Sequence, residues 1–364
     1  MNRIHWETTM RNWLITIVVL TIFFPISLHA EEYTYIYKGV RPMGMGGAFV
    51  AVSNDANALF YNPAGLADIT ETKASILSLE LEIGQGAYDM YSDSSDTDFD
   101  DEAQTADFLR KYIGEYSHVS LAAFPNYAKP NFALGILGAA RTNLQAHNRQ
   151  YPKLQADGIT DMGVCLGYAH SIYTEDILIG VSGKFVSRKS LDREYTVLDL
   201  INDDFNGMLE DDMEEGIGIL FDAGILYKMK DVHIAGEYID LNIGLCGNNL
   251  GMNDFDDAKD MNEHVDLGFA AMIKSWRVAL DFIDLTKQIK ADEDLAKRVR
   301  LGVEYSVTRR LFLRGGLYQG YTTLGVGLDT KHATFDLLTY AEEVGAYGGQ
   351  RSDRRYLGRV SIGF

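Results

Sequence analysis

From Lys73 onward, apolar and polar side chains alternate one for one over many short stretches. A period of two places successive side chains on opposite faces of a strand. Between Lys73 and Gly84, Leu77, Leu79, Leu81 and Ile83 share one face, while Ser78, Glu80 and Glu82 share the other. Met162, Val164, Leu166 and Tyr168 oppose Gly163, Cys165, Gly167 and Ala169. Ile217, Ile219, Phe221, Ala223, Ile225 and Tyr227 oppose Gly218, Asp222, Gly224 and Lys228. Val299, Leu301, Val303 and Tyr305 oppose Arg300, Gly302, Glu304 and Ser306. Comparable runs start near Lys73, Glu115, Asn131, Thr160, Glu175, Gly216, Asp231, His264, Trp276, Lys297, Arg310, Tyr321, His332 and Asp353. These are about 14 runs of roughly 9–13 residues, the length a tilted strand needs to cross a bilayer. The pattern predicts an all-β fold, an antiparallel transmembrane β-barrel over residues 73–364.

A soluble sandwich also alternates, with its apolar faces joined in one core. Two features favour the barrel. Tyr116, Tyr168, Tyr227, Tyr238, Tyr305, Tyr318 and Tyr356 fall near strand ends, where aromatic rings suit the headgroup level. The chain ends with Tyr356, Val360, Ile362 and Phe364 on one face. A terminal aromatic with that spacing resembles the insertion signal that the barrel assembly machinery reads on the last strand of bacterial outer-membrane barrels.

The first 30 residues read as an address. Arg3 and Arg11 precede an apolar run from Trp13 to Ile26, and Ser27-Leu-His-Ala30 follows. That is the form of a secretory signal peptide cut after Ala30. The run is too short for a spanning helix, which takes roughly 20 residues. The expected location is the cell outer membrane of a diderm bacterium.

Composition sharpens this picture. Six prolines and 35 glycines in 364 residues suit strands whose ladders use every backbone N–H. With 33 basic against 52 acidic residues, the net charge of −19 disfavours nucleic acid, which rewards clustered Lys and Arg. The acids are concentrated: seven from Asp93 to Asp107, seven from Asp203 to Glu215, and five from Asp254 to Glu263. Each group follows an odd-numbered run, so all three connections should share one side, the cell exterior, facing lipopolysaccharide. Asp96-x-Asp98-x-Asp100 imitates a calcium loop. Asp101 stands where the turn glycine belongs and the closing glutamate is absent, so a solvated acidic loop is the expectation.

Catalytic signatures are missing. The sequence holds no Gly-x-Ser-x-Gly, no His-Glu-x-x-His and no phosphate loop, so neither an enzyme nor a cofactor is expected. His118, His170 and His233 read as lumen-facing structural side chains. Cys165 lies on the glycine-rich face of its strand and Cys246 reads as following a strand in a loop; two cysteines make no disulfide framework.

Residues 31–72 break the alternation. Gly44, Gly46 and Gly47 allow tight backbone turns, and Ser53 with Asp55 should cap a short helix running through Phe60. Met43-Gly-Met-Gly-Gly-Ala-Phe49 and Ala58-Leu-Phe-Tyr-Asn62-Pro-Ala-Gly-Leu66 resemble the FadL-like superfamily, as do Phe221 to Tyr227, Leu301 to Tyr305 and Leu313 to Gly316. That superfamily includes long-chain fatty acid outer-membrane transporters and PorV-like proteins of a secretion system. The resemblance implies a barrel of about 14 strands with the N-terminal segment 31–72 folded inside as a hatch. It implies passive passage of hydrophobic small molecules, which enter from outside and leave through a lateral gap in the wall. It makes Gly44, Gly46, Gly47, Phe49, Leu59, Phe60, Tyr61, Asn62, Pro63 and Ala64 the hatch and ligand-path residues. The alternative within the resemblance is a PorV-like interaction protein that holds secreted proteins and transports nothing.

Overall fold

The computed structural model describes residues 33–173, 175–202, 204–234, 236–289, 294–345 and 347–364. The signal peptide expected over residues 1–30 lies outside them, as do Glu31, Glu32 and Asp203. The strands are β1 (Lys73–Gly84), β2 (Tyr116–Ala123), β3 (Asn126–Lys129), β4 (Phe132–His147), β5 (Lys153–Ile172), β6 (Ile177–Thr196) and β7 (Glu214–Ile234). They continue as β8 (Glu237–Met252), β9 (His264–Ile273), β10 (Trp276–Phe282), β11 (Val299–Ser306), β12 (Leu311–Tyr318), β13 (Tyr321–Asp329), β14 (Ala333–Glu343) and β15 (Ser352–Gly363). β2 and β3 both pair with β1 on one side and β4 on the other, so they form one stave broken at Phe124-Pro125. The wall therefore has 14 antiparallel staves. It closes where β1 pairs β15, from Ser75↔Gly363 to Gly84↔Arg355. Closure satisfies the backbone of the first and last strands together, as a sheet in hydrocarbon requires.

The two faces are sorted by solvent. Leu81 is 48% exposed and Leu79 is 44%, whereas Glu80 between them is 5%. Met162, Val164 and Leu166 are exposed while Cys165 is fully buried. Apolar side chains point out and charged ones point in, the inverse of a soluble sandwich. Tyr168, Tyr227, Tyr238 and Tyr356 lie on the outer surface. Tyr318 does not: it is buried in the lumen beneath Arg300, whose guanidinium sits 3.7 Å from its ring. Tyr356, Val360, Ile362 and Phe364 all face outward on and just past β15.

The expected run starts correspond to real staves, with two displacements. β5 begins at Lys153, ahead of Thr160, and β7 carries on through Asp231, where a bulge interrupts the register between Met229 and Val232. The acidic connections 85–115, 197–213 and 253–263 leave the same end of the barrel, as the parity of the runs requires. They are more ordered than solvated loops. Helices Gln85–Ser94 and Glu102–Lys111 pack Met90, Leu109 and Tyr112 against Ala146 and Val197 over the barrel mouth. Asp101, the residue in the turn-glycine position, caps the second helix by accepting from Ala103 N at 2.8 Å and Gln104 N at 3.0 Å. Those bonds hold its carboxyl below the usual carboxylate range. Among the described residues no group of three or more His, Cys, Asp or Glu side chains could hold a metal ion. Cys246 lies inside β8, not in a loop, and both cysteines are free and buried. His118 is buried in the lumen, but His170 and His233 are exposed.

Leu81→Arg puts a charge on the lipid face near mid-strand. In bilayer-refolding titrations it is expected to lower stability by about 2–4 kcal/mol, the usual cost of a basic residue near the midplane. An effect within the noise would place Leu81 outside the bilayer.

Candidate functional site

Residues 33–72, the segment expected to form the hatch, lie against the inward faces of the strands. Their helical pieces are short: Val40–Gly44, Ala58–Tyr61 and a 3₁₀ turn Pro63–Asp68. The helix expected from Ser53 is confined to 58–61, and neither Ser53 nor Asp55 caps it. Ser53 Oγ instead donates to Phe49 O, and Asp55 accepts from Asn57 and Arg41. The demand of the Arg41 guanidinium outweighs local capping.

The ten hatch residues read from the sequence come together against the wall. Asn62 is fully buried and joins three parts of the site: Nδ2 donates to Val50 O at 2.9 Å and to Ile225 O on β7 at 3.3 Å, and Oδ1 accepts from Ala64 N at 3.1 Å. Phe49 N and Val50 N donate to one oxygen of Asp281 on β10, at 2.6 and 2.8 Å. Gly44 O accepts from Thr323 on β13. Gly46, at φ 63°, needs its missing side chain twice over. Its conformation disfavours other residues, and a Cβ there would lie 2.4 Å from Leu301 O.

Wall glycines mirror this fit. A Cβ at Gly180 would lie 2.4 Å from Pro63, one at Gly224 2.0 Å from Asn62 Oδ1, and one at Gly302 2.3 Å from Met45 O. Gly180 and Gly224 are direct cross-strand partners, as are Gly244 and Gly268, and Gly302 and Gly316. The glycine-rich inner faces of the strands are the cradle of the hatch.

Two different halves surround it. On one side the lumen is ionic. Cross-strand pairing sets Arg277 opposite Glu304, Glu304 opposite Arg314, Asp336 opposite Arg359, and Arg359 opposite Glu80. Charge alternates along this row from β10 to β1 except at β13, where Gly325 and Gly327 let Arg314 reach across to Asp336; the ion pairs are 2.9 Å (Arg314–Glu304) and 2.6 Å (Arg314–Asp336, Arg359–Asp336). The hatch plugs into this ladder through Arg41, which grips both Glu304 oxygens at 3.0 Å, and through Lys38, 2.7 Å from Glu342. Tyr37 adds a hydroxyl bond to Glu80. Lys228 on β7 pairs with Asp68 at the hatch's far end.

The other side carries a large apolar cluster beside two buried ion pairs, Lys184–Asp222 and Arg188–Asp161. Leu59, Leu66 and Ile69 of the hatch belong to one cluster with Phe124, Ala128, Ala133, Leu137, Val186 and Leu220 of the wall. Phe60 stacks on Tyr37 and Phe124 at ring distances of 5.0 and 5.2 Å. The seam descends from Leu220 and Val186 to Phe124, at the broken stave. A bulge in β1 between Ser75 and Leu77 adjoins that break. Hydrogen bonds from Phe124 N to Ser78 O and from Ile136 N to Pro125 O still bridge it, so the wall is closed there. The cavities beside the hatch are small: one of about 60 Å³ over Tyr35 to Gly39, another of about 60 Å³ over Phe60 and Tyr61, and one of about 300 Å³ among Arg41, Glu304, Arg314 and Asp336.

Sequence reasoning missed Arg41, Asp281, Asp336 and Arg359. Asp281, Asp336 and Arg359 lie at inward positions of strands, where inward charges opposite charges of other sign were the available signal, and Arg41 lies in the hatch three residues before Gly44.

No protein-family model and no curated protein sequence matches the chain. Solved structures do. Two mutants of the TodX monoaromatic hydrocarbon channel are 12% identical to it. One covers 91% of this chain and 99% of its own, with a TM-score of 0.55; the other covers 90% and 98%, at 0.52. The toluene transporter TodX of P. putida is also 12% identical, over 92% of this chain and 99% of its own, at 0.48. At such identity the likeness is one of fold.

Glu304→Gln removes the shared partner of Arg41, Arg314 and Arg277. Stranding buried charges costs about 3–5 kcal/mol, so hydrogen exchange across residues 40–55 is expected to accelerate while the barrel stays inserted. Unchanged protection would show that the ionic half does not hold the hatch.

Proposed function

We propose that the chain is a FadL-like outer-membrane β-barrel, on the fold it shares with solved hydrocarbon channels. On that reading the protein is a passive channel for hydrophobic, fatty-acid-like or hydrocarbon molecules across the outer membrane. The observation that carries this reading is the apolar seam between the hatch and β3 to β7, which runs beside buried ion pairs of the lumen. A hydrophobic molecule cannot cross the charged outer leaflet alone. A track of Leu, Ala, Val and Phe side chains lets it leave water by stages, each buried methylene gaining about 0.8 kcal/mol. No energy coupling is required, because partition into the bilayer drives the flow.

The lower end of the seam, at Phe124-Pro125, is the place for a lateral exit. Two short segments meet there, and the neighbouring β1 bulges. The two 60 Å³ spaces are well under the ~150 Å³ that houses a benzene ring, and the 300 Å³ space that exceeds it is lined by Arg41, Glu304, Arg314, Asp336 and Arg359. Passage therefore needs the hatch to shift, and Asn62 with Pro63 is the pivot: they touch β6 and β7 while the ionic half keeps its grip. Insertion would proceed through the barrel assembly machinery acting on β15, and the acidic rim would face lipopolysaccharide.

The fully packed lumen favours one other reading, a PorV-like barrel that binds secreted proteins with its outer rim. The two are separated by uptake. Cells carrying the protein are expected to take up labelled oleate or toluene faster than cells lacking the gene. Asn62→Ala and Pro63→Gly are each expected to change that rate with insertion intact. Equal uptake with and without the gene, together with copurification of a secreted protein, would exchange the first reading for the second.

A further inference from the structure

The connection 253–263 looks acidic in sequence, yet it does not stay outside. Phe255, Ala258 and Met261, three residues apart, are buried at 0%, 4% and 4%, while Asp254, Asp256, Asp257, Asp260 and Glu263 remain exposed. All three apolar side chains belong to the cluster that forms the seam. The Phe255 ring rests on β7 where Gly216 and Gly218 leave room: a Cβ at Gly218 would meet the ring at 2.5 Å, and one at Gly216 would meet Phe255 O at 1.6 Å. The Arg188 guanidinium covers the ring at 4.5 Å and is itself fixed by two bonds to Asp161, at 2.7 and 2.8 Å. Directly inward, Met261 lines the 60 Å³ space above Phe60 and Tyr61.

We infer that this loop is the outer gate of the channel, with Phe255 as a stopper seated in the extracellular end of the apolar seam. The inference rests on the channel reading above. The polar ties of the loop to the neighbouring strands are Lys259 N to Ser190 Oγ at 2.9 Å, Arg188 to Lys259 O at 2.8 Å, Asn249 Nδ2 to Asn262 O at 3.2 Å, and the Lys259–Asp157 ion pair at 3.2 Å. It starts at Gly251, whose φ of 103° marks a bend that other residues resist. A hydrophobic molecule arriving at the seam takes the place of the ring, so the apolar area left in water is about the same before and after the exchange. The acidic outer side of the loop stays solvated in either position. The chain thus stores a side chain of the cargo's chemistry where the cargo enters.

The test uses whole cells with an intact outer membrane and labelled oleate as probe. A Ser190→Cys/Lys259→Cys variant ties the loop to β6 when oxidised; the two native cysteines are free and buried. Oxidised cells are expected to take up about tenfold less oleate than wild type, and reduction should restore the rate in the same sample. Phe255→Ala, which removes the stopper without a crosslink, is expected to match or exceed wild type. Oxidised uptake equal to wild type, with the disulfide verified by a gel shift, overturns the gate and leaves the channel standing. A fall in uptake for Phe255→Ala in a normally inserted barrel also overturns it. Absence of uptake by wild type and Phe255→Ala alike removes the channel reading and the gate together.

Discussion

A strand in hydrocarbon has no water to satisfy its backbone, so the sheet must close. The pairing of β1 with β15 meets that demand, and the rest of the molecule follows from it. Closure creates an inside, and side-chain alternation then sends Glu80, Glu304, Arg314, Asp336 and Arg359 into it. Buried charges are tolerable only with partners. Register supplies most of them by setting opposite signs across neighbouring strands. Glu304 and Glu342 are completed by Arg41 and Lys38 of the hatch. The hatch is thus part of the electrostatic balance of the wall as well as a stopper within it.

That balance divides the lumen by mobility. The ionic half binds the hatch through directional contacts that are costly to break singly. The apolar half holds it by packing, which is tolerant of sliding and of substitution by another apolar body. On the channel reading proposed above, fixing one side and leaving the other exchangeable suits a plug that admits apolar cargo. The loop bearing Phe255 repeats the arrangement at the outer mouth, with a few polar ties around a displaceable ring.

Much of this was legible in the amino-acid order. Lipid on one face and a packed, charged lumen on the other make alternation strong within the bilayer, so the staves stood out. The start of β5 was hidden because strict alternation fades over residues 153–159 while pairing continues, with Leu154 packed against the helices of the acidic connections. The false start at Asp231 came from a bulge, which shifts the alternation without ending the strand. Within the hatch, the glycines and Asn62-Pro63-Ala64 were visible because they form a motif that resembles a known family and because glycine and Asn-Pro carry local turn preferences. Arg41 and Asp281 were not, because their partners lie far along the chain. Phe255, Ala258 and Met261 were obscured by the acids between them, although their three-residue spacing was there to be read.

The central claim is the sorting of faces along each strand, and the most direct test is lipid contact residue by residue. Single fluorescent labels placed in turn at positions 162 to 168 of β5 should be quenched by brominated acyl chains at 162, 164, 166 and 168 and spared at 163, 165 and 167. Quenching without that alternation, or with the odd positions in contact, would contradict the account.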